Sequence, residues 1–122
     1  MRYQLSSGLF GLPGNAASVD WAVVNHSLHS DAFTVTISQG AVNMSKTVVP
    51  PGTLTETLEP GYVTHNANSV GPSSPFVPGF YYEVVVATNS RAVMPTGMVW
   101  ADHGGTIIPG TTIRPGCFVK VG

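Results

Sequence analysis

The sequence has one cysteine, Cys117, so no internal disulfide framework can staple the fold. Charge is scarce too, at 9% of residues against about 25% in ordinary globular proteins. Five Lys and Arg with a formal net charge of −1 cannot neutralise a row of phosphates, which argues against nucleic acid as a partner. No stretch approaches the roughly 18 apolar residues of a membrane-spanning helix. Residues 1–17 lack a basic region followed by an unbroken apolar core, so no conventional signal peptide is expected. Apolar residues nowhere recur with helical period, which removes helices from the expected fold.

The composition is instead rich in Gly (14) and Pro (10), and Thr, Ser, Asn and Val fill most of the remainder. That mixture suits an all-β domain with many turns, solvated by hydroxyls rather than charges. Few charges and near-zero net charge also weaken colloidal repulsion and favour self-association. At 122 residues the chain is one domain, large enough to bury a core without staples.

Residues 80–105 hold the clearest pattern. Phe80, Tyr82, Val84 and Val86 face one way in an extended chain, and Tyr81, Glu83, Val85 and Ala87 face the other. A run apolar on nearly both faces belongs in the centre of a sheet. Thr88-Asn89-Ser90-Arg91 reads as a turn, after which residues 92–101 return as the second strand of a central hairpin, bulged or broken at Pro95. Earlier in the chain, Val19, Trp21 and Val23 alternate with small or polar residues, and Phe33, Val35 and Ile37 alternate with Thr34, Thr36 and Ser38. Val42, Met44 and Val48 continue an inward face that Pro50-Pro51-Gly52 breaks, and Thr53, Thr55 and Thr57 alternate with Leu54, Glu56 and Leu58. Glu59-Pro60-Gly61-Tyr62 has the type II arrangement, with Pro at i+1 and Gly at i+2. Residues 62–66 are short and extended, and 68–79 form the longest loop.

About eight short strands at this spacing give a single β-sandwich over residues 18–122, jelly-roll or immunoglobulin-like, preceded by an extended N-terminal arm over 1–17. The expected core is Trp21, Val23, Phe33, Val35, Ile37, Leu54, Leu58, Tyr82, Val84, Val86, Val99 and Trp100.

Candidates for chemistry are few. His26, His29 and Asp31 share one loop, and Asp102-His103 follows the central hairpin, but no third or fourth ligand stands at a recognised metal spacing. Loop His and Asp ordinarily cap turns or face water, and His65 is read the same way. Ser73 and Ser74 lack a nucleophile elbow. The expectation is therefore no enzyme, no metal and no cofactor. Among the aromatic residues, Tyr81 is the best placed to stack on a sugar, because its face carries Glu83. Cys117 is either a small buried hydrophobe near the last strand or half of an intermolecular disulfide.

Four stretches carry a resemblance: VVNHS, EPGYVTHNANSVG, FYYEVVVATNS and VWADHGGTIIPGTTIRPGCFV. From Trp21 to Val121 the chain resembles small β-proteins of spore-forming bacteria. In plan it is similar to the pilin-like subunits of endospore appendages, with a short jelly roll, a flexible N-terminal arm and no conventional signal peptide. That resemblance implies an arm that docks on neighbouring subunits, at the spore or cell surface or outside it. In those subunits cysteines of the arm form cross-links; residues 1–17 here contain none.

The arm's Leu5, Leu9, Phe10 and Leu12 have no periodic pattern to bury them locally, so the arm either packs on its own domain or inserts into a neighbour. Insertion makes these four residues the subunit interface of a head-to-tail homopolymer. The expected function is a self-assembling structural subunit of a fibre or appendage. The competing reading is a non-catalytic carbohydrate-binding module.

Overall fold

The computed structural model of the chain describes residues 3–11, 16–40, 45–69, 76, 80–101 and 118–121, with backbone alone at 50–52, 65–69 and 97–101. Its strands are β1 (Tyr3–Ser6), β2 (Phe10–Gly11), β3 (Ser18–Asn25), β4 (Asp31–Gly40), β5 (Thr47–Leu58), β6 (Val63–Ser69), β7 (Tyr81–Thr88), β8 (Val93–Ala101) and β9 (Val119–Lys120). They form two antiparallel sheets. One has six strands, in the order β5-β4-β7-β1-β9 with β2 also on β7; the other is β6-β3-β8. The fold is all-β, and none of its described elements is a helix long and apolar enough to cross a membrane.

Period-two alternation sets which faces meet. Val19, Trp21 and Val23 from β3 are buried against Phe33 and Val35 of β4 and Tyr82, Val84 and Val86 of β7. Trp21 meets Phe33 edge-on across the two sheets, ring centroids 6.3 Å apart. Leu58 is buried, and Ile37 and Leu54 pack against the cluster while partly exposed. Of the expected core only Val99 and Trp100 have side chains outside the described set. The core also holds Ala16, Phe76 and Phe118, which lie outside these strands, and Val49 and Val93, which lie in the bulged strands β5 and β8.

Three expectations are corrected. The return strand does not pair with β7: β8 joins β3 in the other sheet, so the turn after Thr88 carries the chain across the sandwich-like stack. Both edges of β7 are already taken, by β4 on one side and by β1 and β2 on the other. Secondly, Pro50-Pro51-Gly52 does not end a strand. β5 runs through it, and the register jumps from Thr36↔Thr53 to Ser38↔Val48, a bulge that accommodates residues unable to continue the ladder. That bulge turns Val49 inward and leaves Val48 half exposed. Thirdly, β6 extends to Ser69, into the stretch expected as a loop, because its backbone pairs with β3 along its whole length. Val42 and Met44 lie outside the described residues.

Other local readings hold. The Glu59–Tyr62 turn closes with Tyr62 N–H donating to Glu59 C=O at 3.1 Å, and Gly61 takes the positive φ of 77° that a type II turn requires at i+2. Pro95 sits at a register shift, where Ala22 faces Gly97 and Val23 faces Pro95, leaving Thr96 unpaired as a bulge.

Val84 is fully buried, whereas Val85 faces outward beside it. Val84→Ala is expected to cost about 2 kcal/mol, from lost burial and the cavity left behind, and Val85→Ala less than half as much. Urea unfolding of the two variants checks the assignment of faces, and equal losses would show it to be wrong.

Candidate functional site

The N-terminal residues occupy a slot in the chain's own larger sheet. Tyr3, Gln4, Leu5 and Ser6 face Thr88, Ala87, Val86 and Val85 of β7, and on their other side Leu5 and Ser6 face Lys120 and Val119 of β9. The first strand of the sequence thus lies between an inner strand and the last one. Val121 N–H donates to Gln4 C=O at 2.8 Å, which extends the outer seam. Four residues further on, Phe10 and Gly11 face Tyr82 and Tyr81, so β1 and β2 follow one edge of β7 along its length.

Gly8 allows the kink between the two pieces. It has a φ of 73°, a region that side chains disfavour, and its N–H donates to Ser6 Oγ at 2.9 Å. Ser7 holds the seam through the kink: its N–H donates to Val84 C=O at 2.9 Å, and Val84 N–H donates to Ser7 Oγ at 3.0 Å. Leu9, at the outside of the kink, is 66% exposed.

Side chains anchor the arm at three levels. At its start, the Tyr3 ring lies 5.4 Å from the Arg91 guanidinium and 5.6 Å from the Lys120 ammonium, both within cation–π range. In its middle, Leu5 packs against the core. At its end, the Phe10 ring sits 6.4 Å from both Phe76 and Tyr82, which are themselves 5.0 Å apart. Leu5 and Phe10 are partly buried there, which supplies on the order of 2–4 kcal/mol before ordering costs. Of the four residues expected at a subunit interface, Leu5 and Phe10 therefore dock on their own chain and Leu9 stays out. Leu12, like Cys117, lies outside the described residues.

Sequence reasoning missed the polar centre of this site. Glu83 points to the outer face of the sheet, as its alternation predicts, but it is only 8% exposed. One carboxylate oxygen accepts the Ser6 hydroxyl at 2.5 Å, and the other accepts Lys46 Nζ at 2.5 Å. Burial pushes this carboxyl up; the Lys46 hydrogen bond, the Ser6 hydroxyl and the Lys46 charge outweigh it and hold Glu83 below the ordinary value of 4.5. Lys46 itself is 57% exposed, so the pair is one-sided: a buried anion reached by a cation from the surface. The signal was legible in part, because a carboxylate in a central strand demands donors.

The opposite assembly of loops is knit by Asn25, which is fully buried. Its side-chain amide donates to the carbonyls of His29 (2.8 Å) and Leu58 (3.0 Å), and its side-chain oxygen accepts Ser27 N–H and Oγ–H. Its backbone exchanges bonds with Gly61 and Tyr62, and His26 N–H donates to Ala92 C=O. Three turns are tied side by side at this end, with Leu28, Tyr62 and Val63 exposed on them. His26 and His29 are exposed on the same loop and Asp31 begins β4. Among the described residues no three His, Cys, Asp or Glu converge as metal ligands. Asp102, His103, Ser73 and Ser74 lie outside them. Tyr81 is half exposed and Tyr82 and Trp21 are buried, so the exposed aromatic pair here is Phe80, just before β7, and Tyr81 at its start.

Comparison with protein-family models, curated proteins and solved structures found no match to this chain.

Because Glu83 titrates below its unfolded value, its charge stabilises the fold fully above about pH 4.5, and this is lost as pH falls through the lower folded-state value. Glu83→Gln is expected to lose about 1–2 kcal/mol at neutral pH. The difference from the parent chain should shrink in acid. Unfolding free energies of both chains from neutral to pH 3 test this, and a gap that widens in acid would reverse the sign.

Proposed function

We propose that this protein is a self-assembling structural subunit of a fibre or appendage at the spore or cell surface, and that its N-terminal arm is the strand through which copies are joined. The observation that carries the reading is the position of β1 between β7 and β9. A strand that enters a sheet from far along the chain, held at both edges by backbone bonds, leaves a slot when it is withdrawn. The same segment of a second copy has the same register, the same Ser6 for Glu83 and the same rings for Phe76 and Tyr82, and fits that slot equally well. Exchange of an identical element costs little in contacts, because every bond is remade.

Further support comes from the surface. Leu28 is 88% exposed on a loop that Asn25 holds in place, with Tyr62 and Val63 exposed on the neighbouring turn and strand, and the chain carries little charge to oppose association. Two facing sheets with a buried layer between them suit a sandwich of jelly-roll or immunoglobulin-like type, in line with the resemblance to appendage subunits.

A second reading, a carbohydrate-binding module, is favoured by one feature. The outer face of the larger sheet has a shallow trough with a floor of Val85 and Ala87, flanked by Thr34, Thr36, Thr53 and Gln4. Hydroxyls, an amide and an apolar floor without charge suit a neutral glycan chain, with Tyr81 on the same face of β7.

Negative-stain microscopy and light scattering of the purified chain separate the two. Assemblies that weaken in Leu5→Asp and Phe10→Asp support the structural reading. A chain that stays monomeric at all concentrations, and is retained on cellulose or chitin unless Thr34 and Thr36 are changed to Lys, supports the binding module.

A further inference from the structure

We infer that the arm is exchanged reciprocally between two copies, so that the unit formed is a closed, two-fold pair in which Ser6 of each copy binds Glu83 of the other. This rests on the reading of the arm as an exchangeable strand. It differs from the head-to-tail link that the sequence led us to expect.

The argument is one of ends and reach. β1 starts beside Thr88, at the end of the molecule that carries the turns tied by Asn25, and β2 finishes beside Tyr81, at the other end. The body of the chain resumes at Ala16 and enters β3 at Ser18, which faces Ala101 and Ser69 at that same other end. Only residues 12–15 separate Gly11 from Ala16, and the five steps between those two residues span at most about 18 Å. When the arm of one copy lies in the slot of another, its exit and its own body are therefore close together, and the two molecules meet at their hinge ends.

The host's displaced arm leaves from that junction, and the donor's vacated slot opens there too. Insertion of the second arm is then an intramolecular step at high effective concentration. A third copy must arrive from solution and place its body at a junction already occupied by two. Reciprocal insertion closes the pair, and an isologous contact ends growth through the arm. Any longer assembly is then built from pairs, through surfaces other than the slot.

The register supplies a direct test. Ser7 N–H donates to Val84 C=O, so residues 7 and 84 form a hydrogen-bonded pair, and by alternation Gln4 and Ala87 form a non-bonded pair with side chains close together. Gln4→Cys with Ala87→Cys, in a Cys117→Ser background, can be oxidised across this pair. Ser6→Cys with Val85→Cys is a second pair of the same kind, used if the first fails to give a folded protein. The expected product on a non-reducing denaturing gel is a covalent dimer without free thiols, its disulfides mapped between position 4 of one copy and position 87 of the other, while each single variant yields no such bond. A ladder extending beyond the dimer overturns reciprocity and leaves arm exchange standing. A monomer with an internal bond overturns exchange itself, and with it the structural reading above.

Discussion

β7 is apolar on its inner face and needs a partner at each edge, because a buried strand cannot leave its N–H and C=O groups without hydrogen bonds. β4 satisfies one edge over eight registered positions, from Phe33↔Thr88 to Gly40↔Tyr81. The other edge is closed by residues from the start of the chain, in two pieces with a kink between them. Everything else in the larger sheet follows: β5 covers β4, and β9 covers β1. Without the arm, β7 has an open edge, β9 loses the partner it has among the described residues, and Phe76 and Tyr82 lose a ring from their cluster.

The buried carboxylate belongs to the same constraint. A charge on the outer face of a strand is ordinarily solvated, but here the arm, β4 and the approach to β5 close over it: Ser38, which faces Glu83, is buried, and so is Ser6. Its donors come from two directions, 77 residues away on one side and 37 on the other. A shift that brings Leu5 to this position leaves the anion with one donor fewer, whereas the opposite shift brings Ser7, which has a hydroxyl of its own. Glu83 thus opposes the first of these slips, and the inversion of faces that any one-residue shift brings opposes both.

Much of the fold was legible because alternation is strong where strands are long. Phe33-Val35, Trp21-Val23 and Tyr82-Val84-Val86 declare their buried faces unaided, and Pro60-Gly61 declares its turn. Pairing was harder. Nearness in sequence argued for a hairpin between residues 80–88 and 92–101, yet the short turn crosses between sheets, since β7 has better partners on both edges. The arm was illegible in detail: pieces of four and two residues, divided at Gly8, have too few positions to show a period. Glu83 stood out as a charge in a central strand, but nothing local shows which of five cations answers it.

The slot also has a consequence for the order in which the chain is made. During translation the arm emerges ahead of the strand it must join, which follows about as far behind as Glu83 lies from Ser6, 77 residues. The strand that covers it, Val119–Lys120, comes later still. Contacts of such separation are slow to form. In that interval the arm has neither of the edges that hold it in the finished sheet. The larger sheet is thus completed from both ends of the described chain, and its inner strand waits for the last strand before the arm is covered on both sides.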